Sequence, residues 1–526
     1  MAQIKASNFP QAIRKRQASV ALLVALAFFS QLTLHPLAFA TDPATVVVRV
    51  NPAQLLGVNN MSLGFQLDYE WKDFVRDEAA KELMRKAEFK LVRVQDFTNL
   101  RPCEYWNETT DTGRFNWTNV DQLIQDILAI GAQPMIVLGG GHPNVWAPPG
   151  MTINPATGLP DPHSYAAYAT EWVKHFKITD LPVRFYELWN EPWTYFGWAP
   201  VDFSRLSNFM NLFNTAASRM RQESPNLSIS FDFIMHKPVL EYWLAHGGAD
   251  VDSLDFHKYD DHKYDDFVTE NTSNAEMLSR AETQYFGEWP LGYSLQEARQ
   301  HWFKARGKWL PIIDSESNFN AAWQNGTDPR IQQMMGAVWL GLVLRMSVLE
   351  DVTYHVYYLM ASSRSYAENK LSGGYGFGMI NSDNNRPWYP YYLLQMIGRN
   401  LSVGDHLINM TTSSDDIRPL SWIHNGTVMV LLICRVDQTR SLFLQGVSGY
   451  SNFLKIDNTI SWKSPAIQSG EHDLAEPLMV EGYTVLLMQA KAFANHPGIA
   501  GLPAESILIG VILGMVLLRR RRELAN

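Results

Sequence analysis

Residues 185–193 read Phe185-Tyr186-Glu187-Leu188-Trp189-Asn190-Glu191-Pro192-Trp193. The run is largely apolar and aromatic as far as Trp189, turns polar at Asn190 and Glu191, and halts at Pro192, which has no N–H to give a sheet ladder. A buried strand opening into a loop is predicted, with an acid at its exit. Later in the chain Pro311-Ile312-Ile313-Asp314-Ser315-Glu316-Ser317-Asn318 repeats the outline. Around these stretches, from residue 62 to 399, short apolar runs alternate with helical periodicity. Strands are predicted at 62–67, 89–96, 134–138, 183–188, 227–231, 253–257, 310–314 and 353–358. Helices fall between them, as in the stripe Leu123, Ile124, Ile127, Leu128 and Ile130, which ends at Gly131. Eight such units describe an α/β fold, the (β/α)₈ or TIM barrel.

From residue 401 the helical pattern stops. Apolar runs at 428–433, 441–443, 453–456 and 483–488 are separated by Gly, Asn and Asp turns, which predicts a β-sandwich over 400–495. A strand at 46–50, within a linker at 41–61, is a candidate to complete it. The chain has 526 residues, 46% of them apolar and 18% charged, enough for a barrel and a companion domain. A net charge of -9 with no basic, aromatic-interleaved stretch argues against nucleic acid as a partner. The only cysteines are Cys103 and Cys434, so this is no disulfide scaffold; the two either pair across domains or stay as buried thiols.

Both ends read as targeting segments. Arg14-Lys15-Arg16 precede an apolar run at 18–29, and Ala38-Phe39-Ala40 supplies a cleavage site, so residues 1–40 are predicted to be a signal peptide; an uncleaved anchor is the other reading. Nine N-x-Ser/Thr sequons, from Asn60 to Asn425, fit an exported glycoprotein. Residues 496–526 hold a Gly/Pro motif, an apolar stretch at 507–518 and Arg519-Arg520-Arg521-Arg522. Twelve residues reach only about 18 Å, against about 30 Å of hydrocarbon, so the tail serves as a membrane anchor only with snorkelling or thinning. It resembles the C-terminal sorting signals of prokaryotic, particularly archaeal, surface proteins. An extracellular, cell-surface location is expected.

Barrel enzymes carry their reactive groups where strands end. Cleaving a glycosidic bond takes two carboxyls in opposite protonation states, one to protonate the leaving oxygen and one to attack or to activate water. Glu191 is the candidate acid/base, because Trp189, Trp193, Tyr195 and Trp198 surround it with apolar surface that favours its protonated form. Asn190 is placed to donate to a substrate hydroxyl. Glu316, at the end of the seventh strand, is the candidate nucleophile. Across the mouth, the two would stand about 5 to 5.5 Å apart, the spacing of retaining enzymes. Glu187 and Asp314 are the competing acids, each expected deeper on its strand, with Asp314 on the same face as Glu316.

On Asn190-Glu191-Pro192 and Glu316, residues 62–399 resemble the large superfamily of retaining barrel glycoside hydrolases, clan A. Phe115-Asn116-Trp117 with Val120-Asp121, the turn Gly131-Ala132-Gln133-Pro134, and residues 187–193 are similar to glycoside hydrolase family 39, the β-xylosidase and α-L-iduronidase family. The resemblance implies that Arg93 orients the nucleophile, that His142 contacts the sugar, and that Phe256-His257-Lys258-Tyr259 brings His257 toward the acid/base and Tyr259 onto the nucleophile. Structural roles for Arg93, His142 and His257 are the alternatives. Strand eight reads Thr353-Tyr354-His355-Val356-Tyr357-Tyr358, without the tryptophan often found beneath the sugar, so Tyr357 or Trp323 is expected as the platform, with Trp193 beside the acid. The sugar therefore stays open.

No cofactor is expected. There is no HExxH motif or cysteine cluster for a metal, and the acidic loop at 260–266 reads as solvated. Gly139-Gly140-Gly141 lacks the Gly-Lys-Ser/Thr of a phosphate loop. The expected partner is an oligo- or polysaccharide. A silent carbohydrate-binding surface protein and a transglycosylase using the same glutamates are the other readings.

Overall fold

The computed structural model describes residues 44–68, 71–95, 100–140, 147–259, 271–283, 286, 292–320, 328–362, 376–459 and 465–492. The two terminal signals lie outside these residues, and no helix among those described is long and apolar enough to cross a membrane.

Eight parallel strands form the barrel: β1 (Ser62–Leu67), β2 (Leu91–Gln95), β3 (Gln133–Gly140), β4 (Phe185–Asn190), β5 (Ser228–Ser230), β6 (Leu254–Lys258), β7 (Ile312–Ser317) and β8 (Tyr354–Tyr357). They are hydrogen-bonded in the order β5-β4-β3-β2-β1-β8-β7-β6. The seam between β5 and β6 is joined by Asp252 N–H to Ile229 O at 2.9 Å and Ser230 Oγ to Ser253 O at 2.8 Å. The strands are buried on both faces, which is why their sequences read as continuous apolar runs rather than alternating ones.

Local chemistry sets the helix boundaries. Asp161 and Asp202 accept N–H groups in the first turns of Pro162–Ile178 and Phe203–Glu223. Ser294 and Glu297 form a reciprocal cap on Leu295–Arg306, which Gly307 closes in the left-handed conformation. Two helices lie between the first two strands, Trp71–Arg76 and Glu78–Lys86. Asp77 divides them, since its carboxylate accepts the N–H groups of Ala79 and Ala80 and starts a new helix.

Five further strands form a separate three-stranded sheet and a separate two-stranded one; the other nine strands form one mixed sheet. Thr45–Val58 lies within it, antiparallel to His406–Thr412 and parallel to Arg440–Gln445. Gln468–Asp473 is an edge strand that the apolar runs do not announce, because Gln-Ser-Gly-Glu-His-Asp has no apolar side chain to alternate. In Thr427–Cys434, Val428, Val430, Leu432 and Cys434 face the sheet's own core, while Met429, Leu431 and Ile433 join the barrel core. The apolar helix Met334–Leu349 packs between the two. A Cβ on Gly341 would come 3.3 Å from Ile433, so glycine permits the close approach. Cys103 lies in the barrel core and Cys434 in the sheet core, where its thiol faces Val436 O.

Candidate active site

The chain turns sharply as it leaves β4. Trp189 and Glu191 both have positive φ, 79° and 49°, a conformation that bulky residues avoid unless their surroundings hold them there. Trp189 is buried in the core, and Asn190 and Glu191 stand at the strand exit. What holds the turn is Asp232, just past β5, whose two carboxylate oxygens accept the Glu191 N–H at 2.9 and 3.0 Å.

Glu316 reaches the mouth through an irregularity in β7. Asp314 is in register with Phe256, yet Glu316 is in register with His257, so a bulge lies between them. Phe256 and His257 are consecutive and point to opposite faces, and their partners do likewise. This corrects the expectation that Asp314 shares a face with Glu316. Asp314 lies on the other face, 2.9 Å from His355 Nδ1, and both are fully buried.

Arg93 is the centre of the arrangement. Completely buried on β2, it donates Nε to Glu187 Oε2 (3.0 Å), Nη1 to Glu316 Oε2 (2.8 Å) and Nη2 to Asn190 Oδ1 (2.6 Å), with further bonds to Glu187 Oε1 and to Gln66. Burial opposes its charge, but Glu187 and Glu316 overcome that and hold the guanidinium firmly protonated. Glu187 is thus bound within the barrel as a counter-ion. Gln95 also donates to Asn190 Oδ1, at 3.3 Å. With its oxygen engaged twice, the Asn190 amide presents its N–H₂ for a ligand.

The two glutamates have different neighbours. Tyr259 donates to Glu316 Oε1 at 2.7 Å, so each oxygen of this carboxylate has a donor. Glu191 instead has His257 Nδ1 3.3 Å from Oε1. About 30% of the Glu191 side chain reaches solvent, yet the carboxyl sits deep in the mouth, and burial lifts its pKa to about 7 against the pull of Arg93 and Trp193. Burial takes His257 down to about 4, so its ring is neutral at ordinary pH. An oxygen of Glu191, one of Glu316 and a ring nitrogen of His257 lie within 4.8 Å of one another.

Of the other expected site residues, Trp193 hydrogen-bonds the Glu191 carboxyl and makes a T-shaped contact with Trp198, ring centroids 4.7 Å apart. His142 and Trp323 lie outside the described residues. Tyr357 corrects the platform reading: in register with Phe65, it faces the helix layer and is only 2% exposed. Its neighbour Tyr358 takes the mouth side, with its hydroxyl 3.3 Å from Asp68 and its ring against Tyr259 and Phe377. Gln66, Asp68, Gln95, Asp232 and Tyr358 were missed. All lie at or just past strand ends, a signal that the sequence does contain. Glu187, Asp232 and His257, or Glu191, His257 and Glu316, are close enough to ligate a cation. The fixed charge of Arg93 already supplies the positive pole that both sets share.

Removing that charge leaves Glu187 buried without a counter-ion. Arg93→Met is expected to cost about 3–5 kcal/mol of folding stability, measured by urea denaturation, and Glu187→Gln in the same chain to restore part of it.

No known family's sequence profile matches the chain, and no curated protein matches it in sequence. In three dimensions it is similar to a glycoside hydrolase family 39 β-xylosidase from Caulobacter crescentus (TM-score 0.54, 14% identity, 85% of this chain and 99% of that one). It is similar too to a glucosidase from Croceicoccus marinus (TM-score 0.57, 12% identity, 86% and 100%) and to an α-L-arabinofuranosidase from Thermotoga maritima (TM-score 0.57, 11% identity, 84% and 99%). At these identities the likeness is one of fold. It covers more of the chain than the barrel alone occupies.

Proposed function

We propose that this chain is a glycoside hydrolase of the retaining kind, with Glu316 as nucleophile and Glu191 as acid/base. The observation that carries the reading is the pair itself: two carboxyls at one mouth, their oxygens within 4.8 Å, one doubly hydrogen-bonded beside a buried arginine and the other held toward its protonated form. That spacing suits direct attack on the anomeric carbon better than attack through an intervening water. Glu316 attacks as Glu191 protonates the departing oxygen, giving a glycosyl-enzyme; Glu191, now a carboxylate, then takes a proton from the water that releases the sugar.

Neighbours of this fold whose names specify xylosides, glucosides and arabinofuranosides make those sugars the first to try. Nuclear magnetic resonance of the first-formed product is expected to show the anomer of the substrate. Inverted product, or inactivity across a panel of aryl glycosides and polysaccharides, would remove the reading. The two termini support export and attachment at the cell surface, which fractionation of cells producing the full chain would test.

A further inference from the structure

Asp232 is fully buried just past β5, and the two-glutamate reaction has no step for it. Its carboxylate accepts the Glu191 N–H, and Oδ2 lies 3.4 Å from His257 Nε2. The other ring nitrogen of His257 is 3.3 Å from Glu191 Oε1. The imidazole therefore lies between two carboxyls, one on the reacting acid and one beneath its backbone. We propose that Asp232 is a positioning residue that acts on Glu191 through His257, the two carboxyls sharing one proton across the ring. This rests on Glu191 being the acid/base.

A neutral imidazole carries one ring hydrogen, and its partners decide which nitrogen holds it. With Asp232 ionised, Nε2–H donates to Asp232 and Nδ1 accepts the Glu191 O–H. With Asp232 protonated, its O–H donates to Nε2 and Nδ1–H donates to the Glu191 carboxylate. Passing from the first arrangement to the second moves one hydrogen from Glu191 to Nδ1 and one from Nε2 to Asp232. The total charge is unchanged. The first arrangement keeps the acid loaded for the glycosidic oxygen; the second supports the carboxylate that must serve as base.

The surroundings favour such sharing. Burial, together with the charges of Glu187 and Glu191, holds Asp232 well above the usual carboxylate range, while burial keeps the ring of His257 neutral. Among the described residues, the other titratable groups around Glu191 are Arg93 on β2, Glu187 on β4, Tyr259 after β6 and Glu316 on β7. Arg93 binds Glu187 and Glu316, and Tyr259 binds Glu316, so Asp232 and His257 are the groups placed to answer to Glu191.

Carboxyl ¹³C resonance of the full-length, Glu-labelled enzyme tests this, with Glu191 assigned by its loss in Glu191→Gln. Asp232→Asn still accepts the Glu191 N–H but cannot ionise; it is expected to lower the Glu191 midpoint by about one pH unit. With His257→Gln in place, the same substitution is expected to move that midpoint by less than half as much. An unmoved midpoint, or a shift of equal size without the ring, would overturn the proposal. The ¹⁵N signals of His257 in the unaltered protein give a second reading that does not depend on any variant folding. A tautomer that changes as Glu191 titrates supports sharing, and one invariant tautomer sinks it. Neither measurement needs turnover, so an inactive but coupled protein would count against the proposed function alone.

Discussion

Glu316→Ala is expected to lower kcat/KM by about 10⁴-fold or more, because in the proposed reaction Glu316 is the group that forms the covalent intermediate. Glu187, the nearest chemical equivalent, is bound along its length to Arg93 and fully buried. Asp314 faces the helix layer against His355. Alanine leaves room where the carboxylate stood, and Arg93 Nη1 and the Tyr259 hydroxyl lose a shared acceptor there. Azide fits such a space and bears the charge they are arranged to bind. It should restore turnover of activated aryl glycosides and yield a glycosyl azide of inverted configuration. Full activity in Glu316→Ala would end the assignment of this residue.

Glu191→Ala is expected to cost about 10²- to 10⁴-fold, the usual worth of a positioned acid. The loss should depend on the leaving group: large for alkyl glycosides, whose oxygen needs a proton to depart, and small for dinitrophenyl glycosides, whose oxygen does not. With activated substrates the glycosyl-enzyme should then accumulate, since the base for the second step is missing too. The pH profile makes the same point. Burial raises Glu191 to about 7, so the proton needed for the first step is present below that pH and lost above it. Activity on alkyl glycosides should therefore fall along an alkaline limb near neutrality. That limb should disappear in Glu191→Ala; its persistence would transfer the acid's role elsewhere.

Much of this site was legible in the chain because it depends on local pattern. An apolar run interrupted by Asn190-Glu191-Pro192, and another ending near Glu316, announce strand exits, and the mouth of a barrel is made of strand exits. Phe256-His257-Lys258-Tyr259 was legible only through its resemblance to the barrel glycosidases; the structure puts His257 and Tyr259, two residues apart, beside Glu191 and Glu316. Asp232 was no less visible as a polar residue after an apolar run. Its importance was not, because its partner is the backbone N–H of a residue forty-one positions earlier.

The alternation of strands and helices, the two acids at strand exits and the change to a β-rich domain can all be read from the chain, because they follow from periodicity and side-chain type over short windows. The faces those residues occupy emerge only when the strands are paired. The bulge in β7 separates Asp314 from Glu316, and register with Phe65 turns Tyr357 away and leaves the mouth to Tyr358. Arg93 draws Glu187, Asn190 and Glu316 from two other strands onto one guanidinium. One cause underlies all three. A one-residue change of register reverses a side chain's face, and register is set by hydrogen bonds between strands far apart in the chain.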